Sequence, residues 1–197
     1  MHEGFLIRKA TVADLEGIFY LYANYMFDSY FIKFGESFVK RYLQIIIKSS
    51  DCITLVAEGS GMSGFIMATL DSKKLLFRML LSIKMVSLWA KQILRHPHLV
   101  LESLGFLFYP SGTRIKDISA ELLFIAILPD YRQKGLAGNL IAQALIFMKQ
   151  KNVLRVKVST LAGNEAVNAL LHKEGFKFER EFRLLKKHIY LYSFDLN

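Results

Sequence analysis

Apolar residues run without interruption from Leu122 to Leu128, a stretch too short for most helices and rich in Ile, Leu and Phe. That pattern predicts a strand buried on both faces, ended by Pro129. From Ala137 onward the period changes: apolar positions 137, 140, 141, 144, 145 and 148 fall on one side of a helix. Val153 to Ser159 returns to strand alternation. Upstream, Phe5 to Lys9 predicts a first strand, and Thr11-x-x-Asp14 has the form of a capping box with Asp in place of Glu. It would open a helix through Ile18, Leu21, Tyr22 and Tyr25, and a second helix is predicted over Glu36 to Ile47. Cys52–Ala57 and Gly64–Thr69 read as a hairpin around Glu58-Gly59-Ser60-Gly61. Phe176–Glu181 and His188–Phe194 read as a closing antiparallel pair, and no internal repeat or low-complexity linker interrupts the chain.

Composition narrows the class. A chain of 197 residues, 53% hydrophobic with 16 Phe, is not disordered and is long enough for one domain, or one domain carrying an insertion, with a buried core. The single cysteine, Cys52, excludes an internal disulfide and a Cys-based metal cluster. It fits a reducing cytoplasm, and its place at a strand start marks it as a small core residue. His2 and Glu3 stand where a secretory signal would have its basic region, so no signal peptide is expected. His96-Pro97-His98 reads as a helix stop, and no metal is expected. The net charge of +9 is dispersed, with local clusters at Lys73-Lys74, Arg183 and Lys186-Lys187. No helix-turn-helix, zinc module or aromatic RNA-binding signature accompanies it, which weighs against a nucleic-acid partner.

Between the buried strand and the helix lies Arg132-Gln133-Lys134-Gly135-Leu136-Ala137. Gly135 and Gly138 let backbone approach a ligand closely, and the helix start turns N–H groups and a positive dipole end outward. With two cations beside them, these groups make an anion site suited to a pyrophosphate. The segment resembles the coenzyme A-binding signature of the GNAT N-acetyltransferase superfamily, Gln/Arg-x-x-Gly-x-Gly/Ala, met by Arg132, Gly135 and Ala137. A second segment, Asn164 to Phe176, is similar to the later motif of that family. There Asn164 would cap a short helix with Val167, Leu170 and Leu171 on its apolar side, and Gly175 would stop it. The opening IRKATVADLEGI is also typical of the family.

The resemblance implies an α/β (α+β) GNAT fold: a central mixed, mostly antiparallel sheet flanked by helices. It implies acetyl-CoA as acyl-donor substrate, bound by Arg132, Gln133, Lys134, Gly135, Leu136, Ala137, Gly138 and Asn164. The main chain of Ile125, Ala126 and Ile127 would bond the pantetheine amides and polarise the thioester. Glu121 is the expected general base. Seven residues of strand from 121 to 128 span roughly 23 Å, comparable with an extended pantetheine arm, and histone-type members carry a catalytic Glu in a similar Ala-Glu-aliphatic-aliphatic-Phe stretch. The family's acid tyrosine falls at Leu171 in this register, which leaves His172 and Tyr190 as secondary candidates. The expected reaction moves an acetyl group to a primary amine of a small molecule or amino sugar. A coenzyme A-binding module without turnover is one alternative, and a membrane-surface or partner-binding protein that uses the insertion described next is another.

Residues 71–116 do not belong to the minimal family layout, which has a short connection between the third and fourth strands. They are expected to form a helical insertion within one domain spanning 1–197. Arg78, Lys84 and Lys91 interrupt Leu75–Leu94, against a membrane span. The first reading is helices over the acceptor side or a homodimer contact. The second is a wall for a large or lipidic acceptor. The third is a membrane-surface contact through 73–95, with the protein cytoplasmic and peripheral.

Overall fold

The computed structural model describes residues 5–26, 29–59, 61–100, 103 and 112–196. Seven strands form one sheet: β1 (Leu6–Lys9), β2 (Cys52–Glu58), β3 (Met62–Thr69), β4 (Ala120–Ile127), β5 (Arg155–Leu161), β6 (Lys177–Leu184) and β7 (Lys187–Asp195). Their order is β1-β2-β3-β4-β5-β7-β6, so the last strand enters between β5 and β6. Neighbours are antiparallel except β4 and β5, which run parallel and pair only over Ala120–Leu122. Among the described residues there are six α-helices: α1 (Leu15–Tyr25), α2 (Glu36–Lys48), α3 (Ser72–Leu81), α4 (Ile83–Arg95), α5 (Leu136–Gln150) and α6 (Glu165–Lys173). The hairpin between β2 and β3 stands where the sequence predicts it, with its turn residue Ser60 outside the described residues.

The two faces of the sheet carry separate cores. On one, α5 buries Leu136, Leu140, Ile141, Ala144, Leu145 and Met148 against Leu55, Ala120, Leu122, Val156 and Val158, joined by Leu171 of α6. On the other, Ile18, Leu21 and Tyr22 of α1 and Phe38, Val39, Leu43 and Ile46 of α2 pack on Val56, Phe65 and Met67. Leu75 and Met79 of α3 and Met85 of α4 extend this second core, so the connection from β3 to β4 is ordered helix at its start. Residues 101–102 and 104–111 of the expected 71–116 insertion lie outside the described residues. α4 ends at Arg95 with His96 as its C-cap, as the His-Pro-His stop predicts. Cys52 is buried, and burial pushes its thiol up, in keeping with a core role.

The entry to α1 differs in detail from a simple capped helix. Thr11 is followed by a 3-10 turn over Val12–Asp14 before α1 begins. The Thr11 N–H donates to Asp14 Oδ2 at 2.7 Å, and Arg8 donates to both Asp14 oxygens at 2.9 and 2.7 Å. Those bonds hold the Asp14 carboxyl at about 2, below its ordinary 3.8, chiefly through Arg8. A carboxylate with a depressed folded-state value stabilises the fold above its unfolded value and loses that contribution as pH falls through the folded one. Asp14→Asn is therefore expected to lower stability by about 1 kcal/mol near neutrality. Its deficit relative to wild type should shrink as pH is taken from 4 toward about 2, measured by urea unfolding across that window.

Candidate active site

β4 is the axis of the site. Pairing with β3 shifts register between Met67 and Ala68: Met67 lies opposite Phe124 and Ala68 opposite Leu122, so Leu123 is the extra residue of a bulge. The bulge puts Leu123 and Phe124 toward the same core and bends β4 at the point where its pairing with β5 stops. Beyond Leu122, β5 continues with β7 through Leu161 while β4 continues with β3 through Ile127. The two strands part, and Leu123, Phe124 and Ile125 are half-buried where the sequence predicts full burial on both faces.

Hydrogen-bond alternation decides which main-chain groups face that gap. Leu128 N–H donates to Ser63 O at 2.9 Å, so the bonded pairs on β3 are Ser63 with Leu128 and Phe65 with Ala126. Ala126 thus turns its main chain to β3, in contrast to its expected role. Ile125 and Ile127 turn theirs the other way, toward the space β5 has left. Of these, Ile127 O accepts from Arg132 Nε at 3.0 Å.

The loop after β4 begins with a 3-10 turn, Pro129–Tyr131, and leads to α5. Gln133 and Gly135 have φ of 59° and 80°, the left-handed region. A Cβ on Gly135 would meet nothing within 4 Å, so the ground in front of the α5 N-terminus is open. Gly135 is the N-cap and, lacking a side chain, leaves the first N–H groups of a helix of 15 residues without a side-chain cap. Leu136 anchors the turn in the core, with Ala137 half-buried beside it. Arg132 lies 5.1 Å over the Tyr25 ring and Lys134 5.5 Å over the Tyr131 ring, which sets two exposed cations beside the loop. Gly138 faces the end of α6: the Glu174 carboxylate lies 2.5 Å from where its Cβ would be.

At the closed end of the gap, Glu121 is 2% and Lys157 4% exposed, with Lys157 Nζ 3.6 Å from Glu121 Oε2. The parallel register brings them together. Lys157 Nζ also donates to Thr113 O at 3.0 Å, and Arg180 donates to Gly112 O and Arg114 O at 3.0 and 2.8 Å. Residues 112–114 therefore strap the face of the sheet on which Glu121 lies. Glu121 sits at the start of β4 as predicted, inside the protein and ion-paired.

The acid candidates are not on that face. Val158 lies opposite Tyr192 and Thr160 opposite Tyr190, on the face covered by α5 and α6, whereas Glu121 and Lys157 point to the other. Tyr190 packs edge-on to Phe178 at 5.2 Å. His172 is exposed and edge-on to Tyr192 at 5.3 Å. Leu171, in the register of the family's tyrosine, is buried and apolar. Asn164 caps α6, its Oδ1 accepting from Val167 N–H at 3.3 Å. Three residues escape the sequence reading. Asn168 donates to Leu161 O and Ala162 O at 3.2 and 3.0 Å, and its Oδ1 accepts from Tyr192 at 3.0 Å, fixing the turn from β5 into α6. Lys157 flanks Glu121, and Thr113 in turn accepts from Lys157. Lys157 left no trace, because it stands at the polar step of an alternating strand, between Val156 and Val158.

A sequence model of the Acetyltransferase (GNAT) family matches residues 22–176. The chain belongs to that family and is an N-acetyltransferase, of a class that draws its acyl group from acetyl-CoA. No curated protein matches it. Solved structures do, at the level of the fold. An N-acetyltransferase from Staphylococcus aureus superposes with a TM-score of 0.68 at 16% identity, covering 98% of this chain and 99% of that one. The PaiA N-acetyltransferase of Thermoplasma acidophilum, in complex with coenzyme A, gives 0.60 at 20% identity over 97% and 99%. A spermidine N-acetyltransferase from Vibrio cholerae gives 0.59 at 15% identity over 98% and 94%.

The buried pair has a stability signature. Glu121→Gln removes the carboxylate beside a nearly inaccessible ammonium and is expected to destabilise by about 3 kcal/mol. Adding Lys157→Met should recover most of that loss, because an apolar pair is often no worse than an ionic one in a dry site. Urea midpoints of the single and double variants check it.

Proposed function

We propose that this chain transfers an acetyl group from acetyl-CoA to a primary amine of a small molecule or amino sugar by direct attack, with residues 1–197 acting as one catalytic unit to which 71–116 add the acceptor-side cover. The observation that carries the reading is the parting of β4 from β5 after Leu122, which opens at one end onto the Gly135 loop and closes at the other on Glu121. Coenzyme A would lie along that gap. Its diphosphate meets the first N–H groups of α5 with Arg132, Gln133, Lys134 and Gly135, and its pantetheine arm meets the outward main chain of Ile125 and Ile127.

The chemistry follows from the amine. Near neutrality it is an ammonium with a pKa of about 10.4, and it must lose a proton before its lone pair can reach the thioester carbon. Glu121 accepts that proton, directly or through one water. The Ile125 N–H stabilises the oxyanion of the tetrahedral intermediate. Collapse breaks the C–S bond and releases a thiolate whose pKa of about 8.5 lets it leave without a dedicated acid, which fits the absence of a tyrosine at Leu171. Acceptor entry requires residues 112–114 to withdraw from Lys157, and a gap so covered suits a small acceptor better than a polypeptide tail. The spermidine enzyme of like fold supports an amine acceptor.

Calorimetry with acetyl-CoA tests the first half. Wild type is expected to bind, and Gly135→Glu and Lys134→Glu should each weaken binding by about tenfold or more by placing negative charge at the diphosphate. Unchanged affinity in both would remove the loop from the site. An amine panel tests the second half: Glu121→Gln, assayed well below its unfolding temperature, is expected to lower kcat by about 10²–10³ with acetyl-CoA affinity retained. Full turnover in that variant would remove Glu121 as the base.

A further inference from the structure

Between Asp71 and Glu102 the sequence holds no acidic residue and six Lys or Arg: Lys73, Lys74, Arg78, Lys84, Lys91 and Arg95. The helices built from this stretch do not hide their remaining apolar side chains. Leu75 and Met79 face the core, which turns Phe77, Leu80 and Leu81 outward on α3 beside Lys73 and Lys74. Met85 does the same on α4, leaving Ile83 outward at the helix start. Phe77, Leu80, Leu81 and Ile83 are each more than half exposed, Ile83 at 86%, and they cluster at the corner where α3 turns into α4. Leu94 continues the exposed side of α4, with Lys84, Lys91 and Arg95 along one edge of it. Arg78 is turned aside, donating to Ser49 Oγ at 2.6 Å and pairing with Asp51. Among the described residues no ion pair engages Lys73, Lys74, Lys84, Lys91 or Arg95.

A corner with large apolar side chains at its centre and uncompensated cations around it asks for a partner that is apolar within and anionic at its surface. A second copy of the chain would set these cations against their equivalents. A nucleic acid would answer the cations and leave four apolar side chains in water. A bilayer with anionic headgroups answers both. No described helix is long and apolar enough to cross a membrane.

We propose that the α3–α4 corner docks this enzyme on the surface of anionic membranes. Phe77, Leu80, Leu81 and Ile83 enter the headgroup boundary, while Lys73, Lys74, Lys84 and Lys91 lay their methylene stems along it and meet lipid phosphates.

Co-sedimentation of the full chain with vesicles of phosphatidylcholine, with and without phosphatidylglycerol, tests the proposal. Wild type is expected to pellet with the phosphatidylglycerol vesicles and not with the neutral ones, and to be released as salt is raised. Phe77→Ser/Leu81→Ser/Ile83→Ser and Lys73→Glu/Lys74→Glu/Lys84→Glu should each lower the vesicle partition coefficient by about tenfold or more. Ile83→Glu, a single change at an open position, is expected to lower it in the same direction and serves if a triple variant unfolds. Equal pelleting with neutral vesicles, no pelleting at all, or wild-type partition in all three variants would overturn the proposal. So would a dimer in sedimentation velocity that Ile83→Glu dissociates, which would assign the corner to a second copy. Partition is read without turnover, so its failure is distinct from failure of the acetyl-transfer reading.

Discussion

Two strands that should have stayed neighbours separate, and the rest of the molecule is arranged around the gap. Each is fully supported on its outer side, β4 by β3 and β5 by β7, so neither unravels when they part. What remains between them is a pair of inner edges whose ladder partners are gone, and of the β4 groups there Ile127 O is answered by Arg132 instead. One extra residue, Leu123, sets the divergence, because the bulge bends β4 where three residue pairs with β5 run out. The helix that follows β4 then begins at the open end of the gap, and the acidic residue that precedes the bulge is trapped at the closed end. A glycine-capped helix start and a buried carboxylate thus take their positions from a single change of register.

Much of this was written in short-range patterns. The interior face of α5 repeats at the predicted positions because the helical period and the burial are the same fact seen twice. The Asn164 cap and the Gly175 stop, with φ of 84°, were legible because a helix terminus is satisfied by groups a few residues away. The capping box at Thr11 was visible for the same reason, although the turn that follows it is 3-10. The neighbour of Gly138 was not legible, since the Glu174 carboxylate arrives from the end of another helix.

Long-range register was the harder part. Whether Ile125, Ala126 or Ile127 turns its main chain into the gap depends on which β3 residue each faces, and the bulge resets that count. The Glu121–Lys157 pair comes from parallel pairing between strands separated by a helix, and the strap at Thr113 returns from a connection with no regular period at its end. The faces assigned to Tyr190 and Tyr192 depend on β7 entering between β5 and β6, an arrangement no local pattern announces. Propensity spoke for elements; topology decided which side chains meet.

The brevity of the β4–β5 ladder also has a mechanical meaning. β1 to β4 form one ribbon and β5, β7 and β6 another, and within the sheet they are stitched by three register pairs and one buried ion pair. So narrow a seam leaves the helical core to tie the ribbons: α5 packs on Leu55 and Ala120 of one and on Val156 and Val158 of the other. On the proposed reading, coenzyme A in the gap would bond to the β4 edge and touch the β5 side, and so would add a tie between the ribbons where the sheet has few. Occupancy and rigidity are then two readings of one equilibrium.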